Sequence, residues 1–205
     1  MKNIAIIDYG SGNLRSAAKA FEHVAGVKVK VTSDAKDLET ATHIVLPGVG
    51  AFGDCIAGLK KIPGMIAAME KQVLENKKPF LGICVGMQLL ADTGHEYGEH
   101  KGLGWIKGEV RKISPADKSL PIPHMGWNSL QLSKPTPLLK NLQGDVYFVH
   151  SYQFIPGDND NLLATTDYGG KVTAAVARGN IMGVQFHPEK SQQAGLQLLK
   201  NFLEM

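Results

Sequence analysis

Two cysteines, Cys55 and Cys84, are all that a chain of 205 residues carries. That scarcity excludes a framework of several disulfides, and it leaves no Cys-x-x-Cys pair for zinc or dithiol exchange. No His-x-x-x-His run is present either, so a metal has no ligand spacing to rest on, and neither a metal nor an organic cofactor is expected. Long runs of one charge are missing too. Basic and acidic side chains number 22 and 19, and the basic ones cluster only in short pairs such as Lys60-Lys61 and Lys77-Lys78. This balance offers no electrostatic footprint for nucleic acid. No stretch approaches the roughly 20 apolar residues of a membrane span, and the apolar run at residues 4–7 is too short for a signal peptide. A cytoplasmic protein is expected, with thiol chemistry at one cysteine in a reducing compartment. No low-complexity linker divides the chain, so one domain over residues 1–205 is expected.

What is present is an alternation of strands and helices. Residues 2–8 read as a buried strand, 13–25 as a helix capped by Asn13, and 27–32 (Val-Lys-Val-Lys-Val-Thr) as an alternating, half-exposed strand. A strand at 43–46, the turn Pro47-Gly48-Val49-Gly50, helices within about 54–76 and a strand at 80–83 ending at Cys84 continue the pattern. Such alternation implies an α/β fold, a doubly wound and mostly parallel sheet with helices on both faces. From about residue 103 the segments near 103–113, 146–155, 162–167, 172–178 and 181–186 are strand-like, and a helix at about 191–203 closes the chain. This half is expected to be partly antiparallel. Ligands of open α/β sheets bind beyond the carboxyl ends of the strands, where the loops after Asp8, after Leu46 and at Cys84 lie.

Cys84 sits in Pro79-Phe80-Leu81-Gly82-Ile83-Cys84-Val85-Gly86-Met87-Gln88, an apolar strand that turns at a cysteine between glycines and then starts a helix. A strand-to-helix elbow exposes the side chain at its apex, and Gly82 and Gly86 remove the Cβ atoms that would block so sharp a turn. The elbow also directs the N–H of Val85 at the reacting centre. Downstream, Phe186-His187-Pro188-Glu189 supplies an imidazole and a carboxylate two residues apart. Pro188 biases His187 toward extended backbone, where residues i and i+2 share a face. Cys84, His187 and Glu189 thus meet the requirement for a nucleophile, a base and a group that orients the base.

The remaining signals are weaker. Cys55, on a helix without an elbow, reads as a small core hydrophobe. His23, His43, His95 and His100 show no partner pattern and read as surface or structural residues, while His124 and His150 stay unassigned. Tyr9-Gly10-Ser11-Gly12-Asn13-Leu14-Arg15 follows the first strand and opens a helix, with Asp34 further on, but Arg15 stands where a dinucleotide fingerprint needs its third glycine. Nucleotide binding is not expected. Pro47-Gly48-Val49-Gly50 could be a plain loop; beside an elbow, its two glycines favour a backbone that offers N–H groups to an oxyanion. Read on residues alone, these features leave open a stand-alone cysteine hydrolase, or a binding module that has kept the residues without the activity.

The runs Asp8-Tyr9-Gly10-Ser11-Gly12-Asn13-Leu14, Leu46-Pro47-Gly48-Val49-Gly50-Ala51-Phe52, Gly82-Ile83-Cys84-Val85-Gly86-Met87-Gln88, Pro123-His124-Met125-Gly126-Trp127-Asn128, Tyr147-Phe148-Val149-His150-Ser151-Tyr152 and Gln185-Phe186-His187-Pro188-Glu189-Lys190-Ser191 together resemble the class I (triad) glutamine amidotransferases. The resemblance spans essentially the whole chain and implies a flavodoxin-like sheet. The cysteine elbow and the His-Pro-Glu run are shared by the whole superfamily. Pro-Gly-Val-Gly and Pro-His-Met-Gly-Trp-Asn resemble more particularly the branch that serves histidine biosynthesis; sister branches serve anthranilate, guanylate or pyridoxal phosphate, and a more distant alternative is a stand-alone cysteine hydrolase of γ-glutamyl compounds. The resemblance implies hydrolysis of glutamine to glutamate and ammonia, with Cys84, His187 and Glu189 catalytic. It implies oxyanion donors among Val49, Gly50 and Val85, and Gly48, Gln88, Glu96 and the backbone at Ser151 and Tyr152 around the substrate. It further implies a heterodimer with a (β/α)8-barrel synthase subunit, which takes the ammonia to make imidazole glycerol phosphate and an aminoimidazole carboxamide ribotide. Asn13, Trp127, Tyr147 and Lys190 are the candidates to face it.

Overall fold

A computed structural model describes residues 2–24 and 27–205. In the first half, β1 (Lys2–Ile7), α1 (Leu14–His23), β2 (Val27–Thr32), α2 (Asp37–Thr40), β3 (His43–Gly48), α3 (Phe52–Lys61) and α4 (Met65–Glu70) follow one another. A wider helical turn over Lys71–Glu75 extends α4, and β4 (Phe80–Cys84) then runs straight into α5 (Val85–Gln88). The second half holds β5 (Thr93–Gly94), β6 (His100–Lys101), β7 (Gly108–Lys112), β8 (His124–Asn128), β9 (Gln131–Leu132), β10 (Val146–His150), β11 (Tyr152–Pro156), β12 (Leu162–Asp167), β13 (Lys171–Arg178), β14 (Ile181–Val184) and α6 (Gln192–Leu203). No helix among the described residues is long and apolar enough to cross a membrane.

The main sheet has the order β2-β1-β3-β4-β14-β13-β12-β9. Its first five strands are parallel, and β13, β12 and β9 continue it antiparallel. Strands covered on both faces must be apolar throughout, and β3 and β4 are buried at every position. The edge strand β2 alternates instead and carries Lys28 and Lys30 outward, which blunts the edge against further pairing. Phe21 of α1 and Phe202 of α6 meet edge to face, with ring centroids 6.2 Å apart, so these two helices share one face of the sheet. Two smaller sheets, β10-β8 and β11-β7-β5-β6, sit apart from it.

Register then positions the loops. Gly48 pairs with Cys84 across β3 and β4, and Ile83 pairs with Val184 across β4 and β14. The ends of β1, β3, β4 and β14 therefore bring residues 8–13, 47–51, 84–88 and 185–191 to one sheet edge.

Several expectations change in detail. Asn13 does stand just before α1, but its side chain makes no capping hydrogen bond, and the expected last residue, 25, lies outside the described residues. The strand expected over 103–113 occupies only Gly108–Lys112, because the N–H groups of Leu103 and Trp105 are taken by the carbonyls of Leu89 and Leu90 at the end of α5. The segment 146–155 is two strands, broken at Ser151, whose halves pair in different sheets. The short strands β5, β6, β8 and β9 lie outside the expected segments; β5, β6 and β9 have two residues each, too few for a period to register.

Candidate active site

Cys84 has φ 55° and ψ −114°, a conformation that costs a non-glycine residue energy and persists only when the surroundings impose it. The glycines explain how the elbow closes. A Cβ on Gly86 would lie 1.7 Å from the Leu46 carbonyl oxygen, and one on Gly82 would lie 2.5 Å from the Gly86 carbonyl oxygen. Close backbone approach on both sides thus holds the turn.

Beyond β14, the Gln185 N–H donates to the Ala174 carbonyl of β13 and the His187 N–H to the Tyr147 carbonyl of β10. His187 is extended, with φ −98° and ψ 99°, but Pro188–Lys190 form a 3-10 turn. Glu189 therefore reaches His187 by the turn, where strand alternation was expected to bring it. The result is the anticipated contact: Glu189 Oε1 lies 2.8 Å from His187 Nδ1, and both side chains are buried. An acceptor-only carboxylate at Nδ1 holds a proton there and leaves Nε2 as the nitrogen that can exchange a proton with Cys84. Nε2 makes no hydrogen bond of ordinary geometry among the described residues, and Cys84 lines the same cavity. Burial, the largest single influence, pulls the imidazole's pKa down, yet the facing Cys84 sulfur and Glu189 outweigh it and raise it to about 10.

Two residues that the sequence motifs did not single out complete the support. Gln185 is fully buried; its Nε2 lies 3.6 Å from the Cys84 sulfur, and its Oε1 accepts from Gln88 Nε2 at 3.0 Å. A polar residue two positions before His187 in extended chain, flanked by Val184 and Phe186, was the signal for it. Ser191 Oγ donates to the His187 carbonyl at 2.6 Å and accepts from the Tyr147 N–H at 3.0 Å, while the His187 N–H donates to the Tyr147 carbonyl at 2.9 Å. His187 is thus pinned to β10 on both sides.

The cavity in front of Cys84 measures about 480 Å³, and Val49, Gly50, Val85, Gln88, Glu96, Ser151, Tyr152 and His187 line it. Gly48 lies behind the wall, where a Cβ would come 2.5 Å from the Tyr9 hydroxyl and 2.8 Å from the Gly86 nitrogen, so its smallness serves packing. Gln88 spends both amide hydrogens on the Tyr152 carbonyl and Gln185, which turns its Oε1 into the free group. Glu96 Oε2 accepts from the N–H of Phe52, the first residue of α3. The Ser151 carbonyl is taken by Ile113 and the Tyr152 carbonyl by Gln88 and His150, leaving N–H and hydroxyl groups as what 151 and 152 can offer. Acceptors at Gln88 and Glu96 suit an ammonium group, and donors at 151 and 152 suit a carboxylate. A wider depression of about 650 Å³, bordered by Lys2, His23 and Lys200, lies where α1 and α6 end and brings no nucleophile with it.

Trp127 and Tyr147 face each other across β8 and β10 with ring centroids 5.8 Å apart, and Lys190 Nζ lies 5.6 Å from the Tyr147 ring centre. Asn13 is half-buried on the same sheet edge. Lys190 reaches the rim as the last residue of the 3-10 turn, where an extended chain was expected. Among the described residues no cluster of three metal-ligating side chains occurs. His95 pairs with Glu109, and His100 with the Glu96 carbonyl.

A buried thiol at a strained elbow, an oriented imidazole and a pocket with separate acceptor and donor ends are the equipment for acyl transfer from a small amino acid. The family model described as glutamine amidotransferase class-I matches residues 5–205, and the chain belongs to that family. Among curated proteins, it is 57% identical to "Imidazole glycerol phosphate synthase subunit HisH" of Zymomonas mobilis, covering 98% of this chain and 95% of that protein. The protein of the same name from Rhodospirillum rubrum is 55% identical, covering 98% and 97%. Solved structures show the same fold at low identity. A glutamine amidotransferase crystal structure superposes with a TM-score of 0.73 at 21% identity, covering 98% of this chain and 97% of that one. PurLQS from Thermotoga maritima gives 0.69 at 22%, covering 99% and 98%.

Proposed function

We propose that this chain is the glutaminase subunit of an imidazole glycerol phosphate synthase, one amidotransferase domain over residues 1–205 that passes ammonia to a (β/α)8-barrel synthase partner. The observation that carries the chemistry is the buried Cys84–His187–Glu189 arrangement at the end of the parallel sheet, with His187 held at 2.8 Å by Glu189. Near full-length similarity to proteins named as subunits of that synthase supports the choice of reaction.

The glutamine side chain enters with its amide at Cys84, its ammonium toward Glu96 and Gln88, and its carboxylate toward residues 151 and 152. Cys84 Sγ attacks the amide carbon as a thiolate, its proton held on His187 Nε2. The tetrahedral oxyanion is received by the N–H groups of Val85 and Gly50. Collapse breaks the C–N bond, and His187 returns the proton to the departing nitrogen. Ammonia leaves and a thioester remains. Water, deprotonated by His187, then attacks the thioester; the C–S bond breaks, glutamate is released and the thiol is restored. Glu189 stabilises the imidazolium at both stages.

Ammonia reacts as a nucleophile only while unprotonated, so it must be passed on in shelter. The rim of Asn13, Trp127, Tyr147 and Lys190 is the surface assigned to the barrel, with Lys190 pairing with a carboxylate there. The test is glutamine hydrolysis by the chain alone, with a barrel synthase, and with the synthase and its nucleotide ligand. Slow turnover alone and strong stimulation in the liganded complex are expected. Full activity without a partner would refute the proposed dependence on a synthase.

A further inference from the structure

The chain passes from β10 to β11 through the single residue Ser151, and the two strands pair in different sheets, β10 with β8 and β11 with β7. This crossing is a wall of the cavity in front of Cys84. On the β7 side the Ile113 N–H holds the Ser151 carbonyl at 2.9 Å. Bonded and non-bonded pairs alternate along an antiparallel ladder, so the next pair, Tyr152 with Lys112, exchanges no hydrogen bonds. In a trans peptide the carbonyl of one residue and the N–H of the next point in opposite directions, which turns the Tyr152 N–H away from β7. The Tyr152 carbonyl is held in its turn. His150 Nδ1 donates to it at 2.8 Å and Gln88 Nε2 at 3.1 Å, so one carbonyl ties the donor end of the pocket to Gln88 at the acceptor end. The His150 ring is itself directed from its other nitrogen, where Nε2 accepts from His124 Nδ1 at 3.0 Å; His124 is its register partner on β8. His124 stacks on Phe148 and Tyr168, with ring centroids 4.8 and 4.0 Å away, and the Tyr168 hydroxyl donates to the Pro121 carbonyl at 2.7 Å. Asn128 Nδ2, which donates to the Asp167 carbonyl at 2.8 Å, lies 3.4 Å from His124 Nε2. Donors thus run one way from Asn128 through two imidazoles to the Tyr152 backbone. The glutaminase steps use neither imidazole, and a satisfied buried chain of this kind rigidifies whatever it ends on.

We propose that His150, itself set by His124, is a positioning residue for the carboxylate end of glutamine: its imidazole holds the crossing at Ser151 and Tyr152 so that the donors there stand ready before substrate arrives. Without that hold the Tyr152 peptide loses one of its two donors and can turn its carbonyl toward the substrate carboxylate, which repels it. The substrate carboxylate carries the same charge in the ground state and in the transition state, so the contribution falls on both alike and appears as affinity. This role rests on the glutaminase reading.

The experiment uses the chain in complex with its synthase and the nucleotide ligand. His150→Phe keeps an aromatic ring but removes the donor to Tyr152; it should raise KM for glutamine about tenfold while stimulated kcat changes by less than about threefold. Calorimetric glutamine affinity, compared between Cys84→Ala and the Cys84→Ala/His150→Phe double variant, should fall by the same factor of about ten, which ties the change in KM to binding. His150→Asn places an amide donor close to where Nδ1 stood, and it should bring KM back to within about threefold of wild type. If His150→Phe does not fold, His124→Phe carries the test: it leaves His150 in place without its donor and should raise KM about threefold. Wild-type KM in folded His150→Phe, or in His124→Phe where only that variant folds, would overturn the role. So would a loss carried by kcat with affinity unchanged, or an asparagine variant that recovers none of the affinity. Absence of any glutamine turnover by the wild-type complex would instead remove the glutaminase reading, and the positioning role with it.

Discussion

His187 and His150 border the same cavity and are both buried, yet their environments push them in opposite directions. His187 faces a carboxylate and a sulfur and its pKa is raised to about 10, although burial alone would lower it. Among the described residues no anion acts on His150. Burial, the largest influence, lowers its pKa to about 4; the Tyr152 carbonyl pulls it up, and the neighbouring His124 and His187 each add a smaller downward push. His124, stacked between Phe148 and Tyr168, is lowered to about 4 by burial. A hydrogen-bond chain fixes these two as neutral imidazoles. His150 Nδ1 donates to the Tyr152 carbonyl at 2.8 Å, so its Nε2 accepts from His124 Nδ1 at 3.0 Å. The same side chain thus favours its charged form on one wall and its neutral form on the other, and the neighbouring groups decide which.

The largest expected effect lies at the group that gives His187 its task. Cys84→Ala should reduce glutamine hydrolysis to background, a loss on the order of 10⁴-fold or more, while the complex still makes imidazole glycerol phosphate from added ammonia. Retained turnover with glutamine would end the mechanism.

His187→Ala should be nearly as severe, and Glu189→Gln roughly 100-fold, because an imidazole with a poorer partner still acts as a base part of the time. Single-turnover thioester formation ranks them. A Glu189→Gln variant slower than His187→Ala would reverse the assigned roles.

On the other wall, His124→Phe keeps the aromatic stack but removes the donor to His150 Nε2. An unsatisfied buried acceptor should cost about 1–3 kcal/mol of stability, with turnover falling by less than about tenfold. Urea unfolding alongside stimulated kcat gives the two numbers. A catalytic loss matching that of His187→Ala would mean that the two walls do not differ in kind.

The contrast also predicts pH dependence of opposite sign. His43, His124 and His150 are all lowered from near 6.5 to about 4, so their unfolded forms bind protons first as pH falls. Stability that is present above 6.5 should therefore drain between about pH 6.5 and pH 4. The raised value of His187 contributes stability that is complete below 6.5 and lost as pH rises toward 10. Urea midpoints across about pH 4–10 measure both limbs, and His124→Phe should flatten the acid limb. A midpoint that does not move between about pH 7 and pH 4.5 would contradict the buried-neutral reading.

The smallest effect on the fold is expected at Lys190, which is exposed over Tyr147. Tyr147 is tied by its backbone to His187, so Lys190→Ala should leave folding intact and weaken ligand-stimulated turnover more than assembly. Titration with the synthase, following binding and turnover together, separates the two. Wild-type stimulation at saturation would reduce Lys190 to an ordinary surface charge.

Local pattern was enough for much of this protein. The buried strands at 2–8, 43–46 and 80–83, the elbow between Gly82 and Gly86, and the pairing of His187 with Glu189 across a proline were legible because each depends on neighbours within a few residues. So was the parallel sheet, since strands joined through helices can hardly pair otherwise. Only the tertiary structure decided what depends on distant segments. It broke 146–155 at Ser151, because the two halves find different partner strands. It brought Gln185 to Cys84 and Gln88 to Tyr152, contacts that no periodicity encodes. It also set the imidazoles of His187 and His150 to opposite charge preferences, because a titration responds to the charges and solvent around a group, and those are set by chain that lies far away in sequence.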